Sequence, residues 1–102
     1  MKIGNTLQKI RKEKGIKQKH FAQECNISAT YLSQIENNVK DPNLKTLNII
    51  AEKLEIPIQI LFFLSLEETD VKEEKREAYK MISEPIKMMV NEFFVGYGKK
   101  SE

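Results

Sequence analysis

Apolar residues recur at helical intervals from the start of the chain. Ile3, Leu7 and Ile10 share one face of a helix, and Gly15 follows as a residue suited to ending it. Phe21, Ala22 and Cys25 make a second stripe of about two turns, after which Asn26 tolerates the left-handed backbone of a tight turn. Ser28 is a good N-cap for a third helix with apolar positions Leu32 and Ile35, and Asn37 and Asn38 mark its end. Asp41-Pro42-Asn43 reads as a loop running into another cap, Asn43. Leu44, Leu47, Ile50, Ala51 and Leu54 then form a fourth amphipathic helix. Pro57 suits the first position of a fifth, through Ile58, Leu61 and Phe62. The connections are short, so the pattern predicts five helices packed as one unit.

Beyond this unit the pattern changes. Residues 65 to 77, SLEETDVKEEKRE, offer little to bury besides Val71 and read as a charged junction leading into an exposed helix. From Tyr79 onward, Tyr79, Ile82, Ile86, Met89 and Phe93 are spaced 3, 4, 3, 4, the seam of two helices packing lengthwise. Pro85 interrupts the seam and predicts a kink or break near Ser83-Glu84. Phe93, Phe94, Val95 and Tyr97 concentrate apolar surface at the end. Such a tail can fold back as extra core, pair with its twin, or receive a different protein. The seam spacing favours self-pairing through Tyr79, Ile82, Ile86, Met89, Val90, Phe93 and Phe94.

Composition supports this division. The 102 residues are 40% hydrophobic and 31% charged, with four glycines and three prolines, which suits a compact helical domain plus a short appendage. A net charge of +2 suggests no partner by itself. Residues 1 to 66 carry ten Lys/Arg against six Asp/Glu, whereas residues 67 to 102 carry seven against nine. A cationic module that meets a polyanion, followed by a segment with another task, fits that asymmetry.

Several function classes drop out. One cysteine, Cys25, allows no internal disulfide, and its apolar position suits a buried structural thiol. The amino terminus has no secretory pattern, and the longest apolar run, Ile60 to Leu64, is too short to span a bilayer, so no membrane partner and a cytoplasmic location are expected. His20 stands alone on a polar helix face and reads as a surface residue. His20 and Cys25, five residues apart on a short helix, make no working pair. Phosphate-binding glycine loops and paired Cys/His ligands are absent, so neither an enzyme, a cofactor nor a metal site is expected.

What carries chemistry is a pair of short helices joined by a three-residue turn. Lys17 to Cys25, Asn26 to Ser28 and Ala29 to Asn37 have the proportions of a helix-turn-helix. Small Ala22 lets the helices cross closely, while Ile27, Leu32 and Ile35 bury the inner face of the second. Its outer face, Ala29, Thr30, Ser33 and Gln34, is short and uncharged, suited to lying against base edges in a major groove.

The stretch KIRKEKGIKQKHFAQECNISATYLSQIENNVKDPNLKTLNIIAEKLEIPI resembles the Cro/cI family of helix-turn-helix regulators, also called lambda-repressor-like or xenobiotic-response-element type, and SinR-like regulators share the pattern. The resemblance covers about residues 3 to 64, and YLSQIENN…DPNLKTL is its most specific portion. It implies an all-α fold with a five-helix lambda-repressor-like domain (residues 1–66), to which the helical spacing and Pro85 add a kinked helical extension (residues 67–102). It implies base-reading roles for Ala29, Thr30, Ser33 and Gln34, and places Gln18, Tyr31 and Asn37 by phosphates. Lys40 and Lys45 add charge neutralisation along the DNA backbone. It also implies an orienting ion pair between Arg11 and Glu36. Many members have Ser or Thr where Lys17 stands and glycine where Asn26 and Asn38 stand.

The expected protein is a dimeric repressor of an inverted-repeat operator, bacterial or encoded by a phage or plasmid, with double-stranded DNA and its own copy as partners. The competing reading is an antitoxin-type or antagonist-controlled interaction protein whose carboxy-terminal helix grips another protein. A tail of about 35 residues is too short to enclose a usual metabolite pocket, so control through assembly, protein level or a protein antagonist is expected over a bound ligand.

Overall fold

The computed structural model describes residues 1–95, and every regular element among them is helical. Helices α1 (Ile3–Glu13), α2 (Gln18–Glu24), α3 (Ala29–Glu36), α4 (Leu44–Leu54) and α5 (Ile58–Ser65) form the domain. Two single 3₁₀ turns, Glu68–Asp70 and Glu73–Lys75, lead to α6 (Arg76–Val90), which ends in a π-helical turn over Asn91–Val95. Tyr97 lies outside the described residues.

Four successive helices stop by the same device. After α1, α2, α3 and α4 the next residue but one, or the next, turns left-handed: Gly15 at φ 74°, and Asn26, Asn38 and Glu55 each at φ 60°. Each then closes the Schellman pair of backbone bonds. At α1, for example, Gly15 N–H donates to Lys12 O at 3.0 Å and Ile16 N–H to Arg11 O at 3.1 Å. The residue after each left-handed one is apolar (Ile16, Ile27, Val39, Ile56), which ties the exit of the chain to the core in three cases and leaves Val39 exposed. At the entrances, Ser28 Oγ accepts from Tyr31 N–H at 2.9 Å and Asn43 Oδ1 from Thr46 N–H at 2.8 Å.

The core is built from Leu7 and Ile10 of α1, Phe21 and Ala22 of α2 with Cys25 at its end, Leu32 and Ile35, Leu47, Ile50, Ala51 and Leu54, then Ile56 and Leu61. Burial of this many aliphatic side chains at roughly 1.5–3 kcal/mol each dominates the stability of the unit. Gly4 marks the tightest approach. A Cβ there would overlap the Ile35 carbonyl oxygen and lie 2.7 Å from Asn38 Oδ1. Only glycine lets the start of α1 touch the last turn of α3. Leu44 departs from the expected stripe and is 61% exposed, because the first turn of α4 projects beyond the core.

The junction is fastened by polar contacts. Arg76 Nε donates to the carbonyls of Glu68 and Val71, both at 3.0 Å, and the Tyr79 hydroxyl donates to Leu66 O at 3.1 Å. Pro85 falls inside α6 without breaking it. The carbonyl one turn earlier, on Met81, loses its intrahelical donor, but Met81 and Pro85 both face solvent, where water supplies the replacement. Val90 and Val95 are buried in the domain core, so Val90 belongs to the inward side and not to the outward seam. That inward side is Arg76, Tyr79, Ser83, Lys87, Val90 and Phe94, all buried or half-buried, so Tyr79 and Phe94 also leave the expected seam: the Tyr79 hydroxyl is bonded to Leu66 O and Phe94 packs on the core. On the opposite side Met81, Ile82, Ile86, Met88, Met89 and Phe93 are exposed.

Candidate nucleic-acid interface

The second and third helices pack through Phe21, Ala22, Leu32 and Ile35, all buried, with Ile27 in the turn half-buried over them. Burying that side of α3 turns the other side out. Ala29 and Thr30 in its first turn are exposed, and Ser33 and Gln34 one turn on are half-buried. None of the four carries a charge that a base edge would have to desolvate. Tyr31 is half-buried with its ring against the core. Asn37 is exposed but folds back, its Nδ2 donating to Ser33 O at 2.9 Å and to Ser33 Oγ at 3.3 Å. The exposed lysines Lys40, in the loop after α3, and Lys45, in the first turn of α4, follow in the chain.

Behind this face lies a buried ionic network. Arg11 Nε donates to Glu36 Oε2 at 2.7 Å and Arg11 Nη2 to Glu36 Oε1 at 3.0 Å, a two-pronged pairing. Arg11 is 5% exposed and Glu36 1%. The third nitrogen, Nη1, donates to Ile16 O at 2.7 Å, and Gln18 Nε2 donates to Glu36 Oε1 at 3.0 Å. The last residue of α3 is thereby held to α1 and to the start of α2. Gln18, expected beside a phosphate, gives one N–H of its amide to Glu36, which leaves the second N–H of that group for another acceptor. Among the described residues no buried side-chain polar atom lacks a hydrogen-bond partner.

The remaining reactive groups are quiet. Burial pushes the Cys25 thiol up to about 11, with a smaller contribution from the Glu24 carboxylate. His20 is not alone on its face: Glu24 stands one turn on, with Nε2 and Oε2 3.4 Å apart and the imidazole side chain 65% exposed. Among the described residues no group of three His, Cys, Asp or Glu is placed to hold a metal ion, and no helix is long and apolar enough to cross a membrane.

Comparison with known proteins agrees with this arrangement. Residues 7–61, more than half of the chain, match the family model HTH_3, described as helix-turn-helix. The immunity repressor protein of Bacillus phage phi105 is 36% identical over 77 residues, which are 76% of this chain and 51% of that protein. The chain thus spans about half the length of that relative. The control protein C.MunI of a Mycoplasma species is 38% identical over 63 residues, covering 61% of this chain and 85% of that protein. Among solved structures, the wild-type restriction-modification controller protein C.Esp1396I superposes with a TM-score of 0.57 at 35% identity, over 62% of this chain and 82% of that one.

Proposed function

The chain belongs to the HTH_3 helix-turn-helix family, and on that premise we propose that it is a sequence-specific, double-stranded DNA-binding transcription regulator that represses as a dimer. The observation that carries the reading is the outward side of α3. Ala29 and Thr30 stand clear of the core and Ser33 and Gln34 are half-exposed beside them, while Glu36 at the far end is locked to the body of the domain. A helix presented in this way fits the major groove with its first turns on base edges. In this reading Ala29, Thr30, Ser33 and Gln34 give the sequence preference, and Tyr31, Asn37, Lys40 and Lys45 hold the DNA backbone. Arg11, Glu36 and Gln18 keep the helix at its angle.

The DNA-binding unit is residues 1–66, and residues 67–102 pair two copies through Ile82, Ile86, Met89 and Phe93, the exposed members of the expected seam. Two recognition helices related by a twofold axis then address half-sites about 34 Å apart, or a multiple of that distance, in an inverted repeat. The names of the phage immunity repressor and the controller proteins accord with this role. The exposed apolar side of α6 equally accommodates a protein antagonist, which would work by displacing the twin.

Selection of bound sequences from a random duplex pool tests the reading, with an inverted repeat as the expected outcome. On the selected duplex, Gln34→Ala is expected to lose about tenfold or more in affinity while binding to unrelated duplex is unchanged. Equal losses on both would remove Gln34 from the base readers, and no binding to any duplex at low salt would remove the function.

A further inference from the structure

We propose that Asn38 is a positioning residue for DNA recognition: its side chain fastens the end of α3 to the start of α1 and so fixes the direction in which the recognition helix projects. The inference rests on the reading of α3 as the helix that faces DNA.

α1 starts without a cap of its own, since Lys2 makes no side-chain hydrogen bond there. Its first amides need acceptors. Gly4 N–H finds one 34 residues away, donating to Asn38 Oδ1 at 3.1 Å. Asn38 Nδ2 donates in turn to Asn5 Oδ1 at 2.6 Å. The backbone of Asn38 meanwhile ends α3, left-handed at φ 60°, with its N–H on Ile35 O at 3.0 Å. One residue is therefore tied to α3 by its main chain and to α1 by its side chain. Two residues earlier, Glu36 is tied to Arg11, which lies seven residues beyond Gly4 and so about 10 Å along α1. A single tie would leave a pivot. Two ties spaced along one rigid helix fix direction as well as position, and the loop bearing Lys40 starts from the second of them.

Asn26 provides the comparison. It ends α2 with the same φ of 60°, yet among the described residues its side chain makes no hydrogen bond. If Asn38 only ended its helix, glycine would serve as well or better, since glycine is the favoured residue at such a left-handed stop. The test is Asn38→Gly in the full chain, measured on a duplex selected from the random pool and on unrelated duplex. The variant is expected to keep its helical content, with a small fall in melting temperature as the Gly4 amide loses its acceptor, and to lose about threefold to tenfold in specific affinity. Non-specific affinity and its salt dependence should stay unchanged. Asn38→Asp should restore specific binding, because a carboxylate accepts from Gly4 N–H and the Asn5 amide can turn its N–H₂ toward it. Asn26→Gly should change neither affinity.

Specific binding by Asn38→Gly equal to that of the unaltered chain would overturn the proposal, as would an equal loss in Asn26→Gly. Should Asn38→Gly fail to fold, Asn5→Ala removes the outer bond alone, and undiminished specificity there would overturn the proposal in the same way. A chain that selects no sequence at all fails at the underlying reading, an outcome distinct from either.

Discussion

The domain and the tail use the same kind of amphipathic helix to opposite ends. In residues 1–66 large apolar side chains point inward, and only Met1, Val39 and Leu44 are strongly exposed. In α6 and the turn after it, six are exposed (Met81, Ile82, Ile86, Met88, Met89 and Phe93) while Val90 and Val95 are buried. At about 100° per residue the six fall within an arc of roughly 160°, wider than the face an ordinary surface helix gives to a core. One region satisfies its apolar surface alone. The other holds on to the domain by a few ties and keeps most of that surface for something else.

The difference can be broken most strongly from the domain side. Arg11→Ala leaves the Glu36 carboxylate buried without its partner, at an expected cost of about 3–5 kcal/mol in urea unfolding, with loss of DNA binding. A cost under about 1 kcal/mol would mean that water reaches Glu36 freely. Next comes alkaline pH. Burial pushes the Cys25 thiol up to about 11 in the fold, against 9.0 for a thiol exposed to water. Because the folded value is the higher one, the stabilisation is complete below pH 9 and lost as pH rises toward 11. The expected loss is about 2 kcal/mol relative to a Cys25→Ala chain, whose stability should not fall through that window on this account. Alkylation of the native protein at pH 8 should likewise wait for unfolding.

A smaller change runs in the favourable direction. Glu55 holds the left-handed position after α4 at φ 60°, so Glu55→Gly should gain about 0.5–1 kcal/mol in thermal or urea unfolding. The smallest expected effect on the fold comes from the tail. Ile86→Asp with Met89→Asp changes two exposed positions, so the unfolding free energy of the monomer should hold within about 0.5 kcal/mol. Light scattering should nevertheless show the dimer lost and binding to an inverted repeat weakened. A dimer that survives both substitutions would move the pairing surface off α6.

What could be read in the residues was mostly local. Ser28 and Asn43 announced their caps, and Gly15, Asn26 and Asn38 announced left-handed stops, because the chemistry of those side chains acts within a few residues. Glu55 carried no such signal, since glutamate takes that backbone only where the packing around it insists. Gly4 and the Asn38 side chain depend on a contact across more than thirty residues, which no local pattern contains. The 3, 4, 3, 4 spacing found the outward row of α6 but swept Tyr79 into it, and Val90 and Phe94 were added beside it, because a stripe that drifts around a helix does not reveal where one face ends and the next begins. The four-residue spacing of His20 and Glu24 was available to read, whereas the inward turn of Gln18 depended on where Glu36 would be placed.

The capped first turn of α3 has an evolutionary consequence. Ala29 and Thr30 lie outside the core, while Ser28, Leu32, Ile35 and Glu36 hold the helix in place. Substitution at the two exposed positions therefore leaves folding nearly untouched. On the proposed reading, a lineage carrying this scaffold drifts from one operator to another by changing a few outward side chains, with no need for compensating changes in the interior.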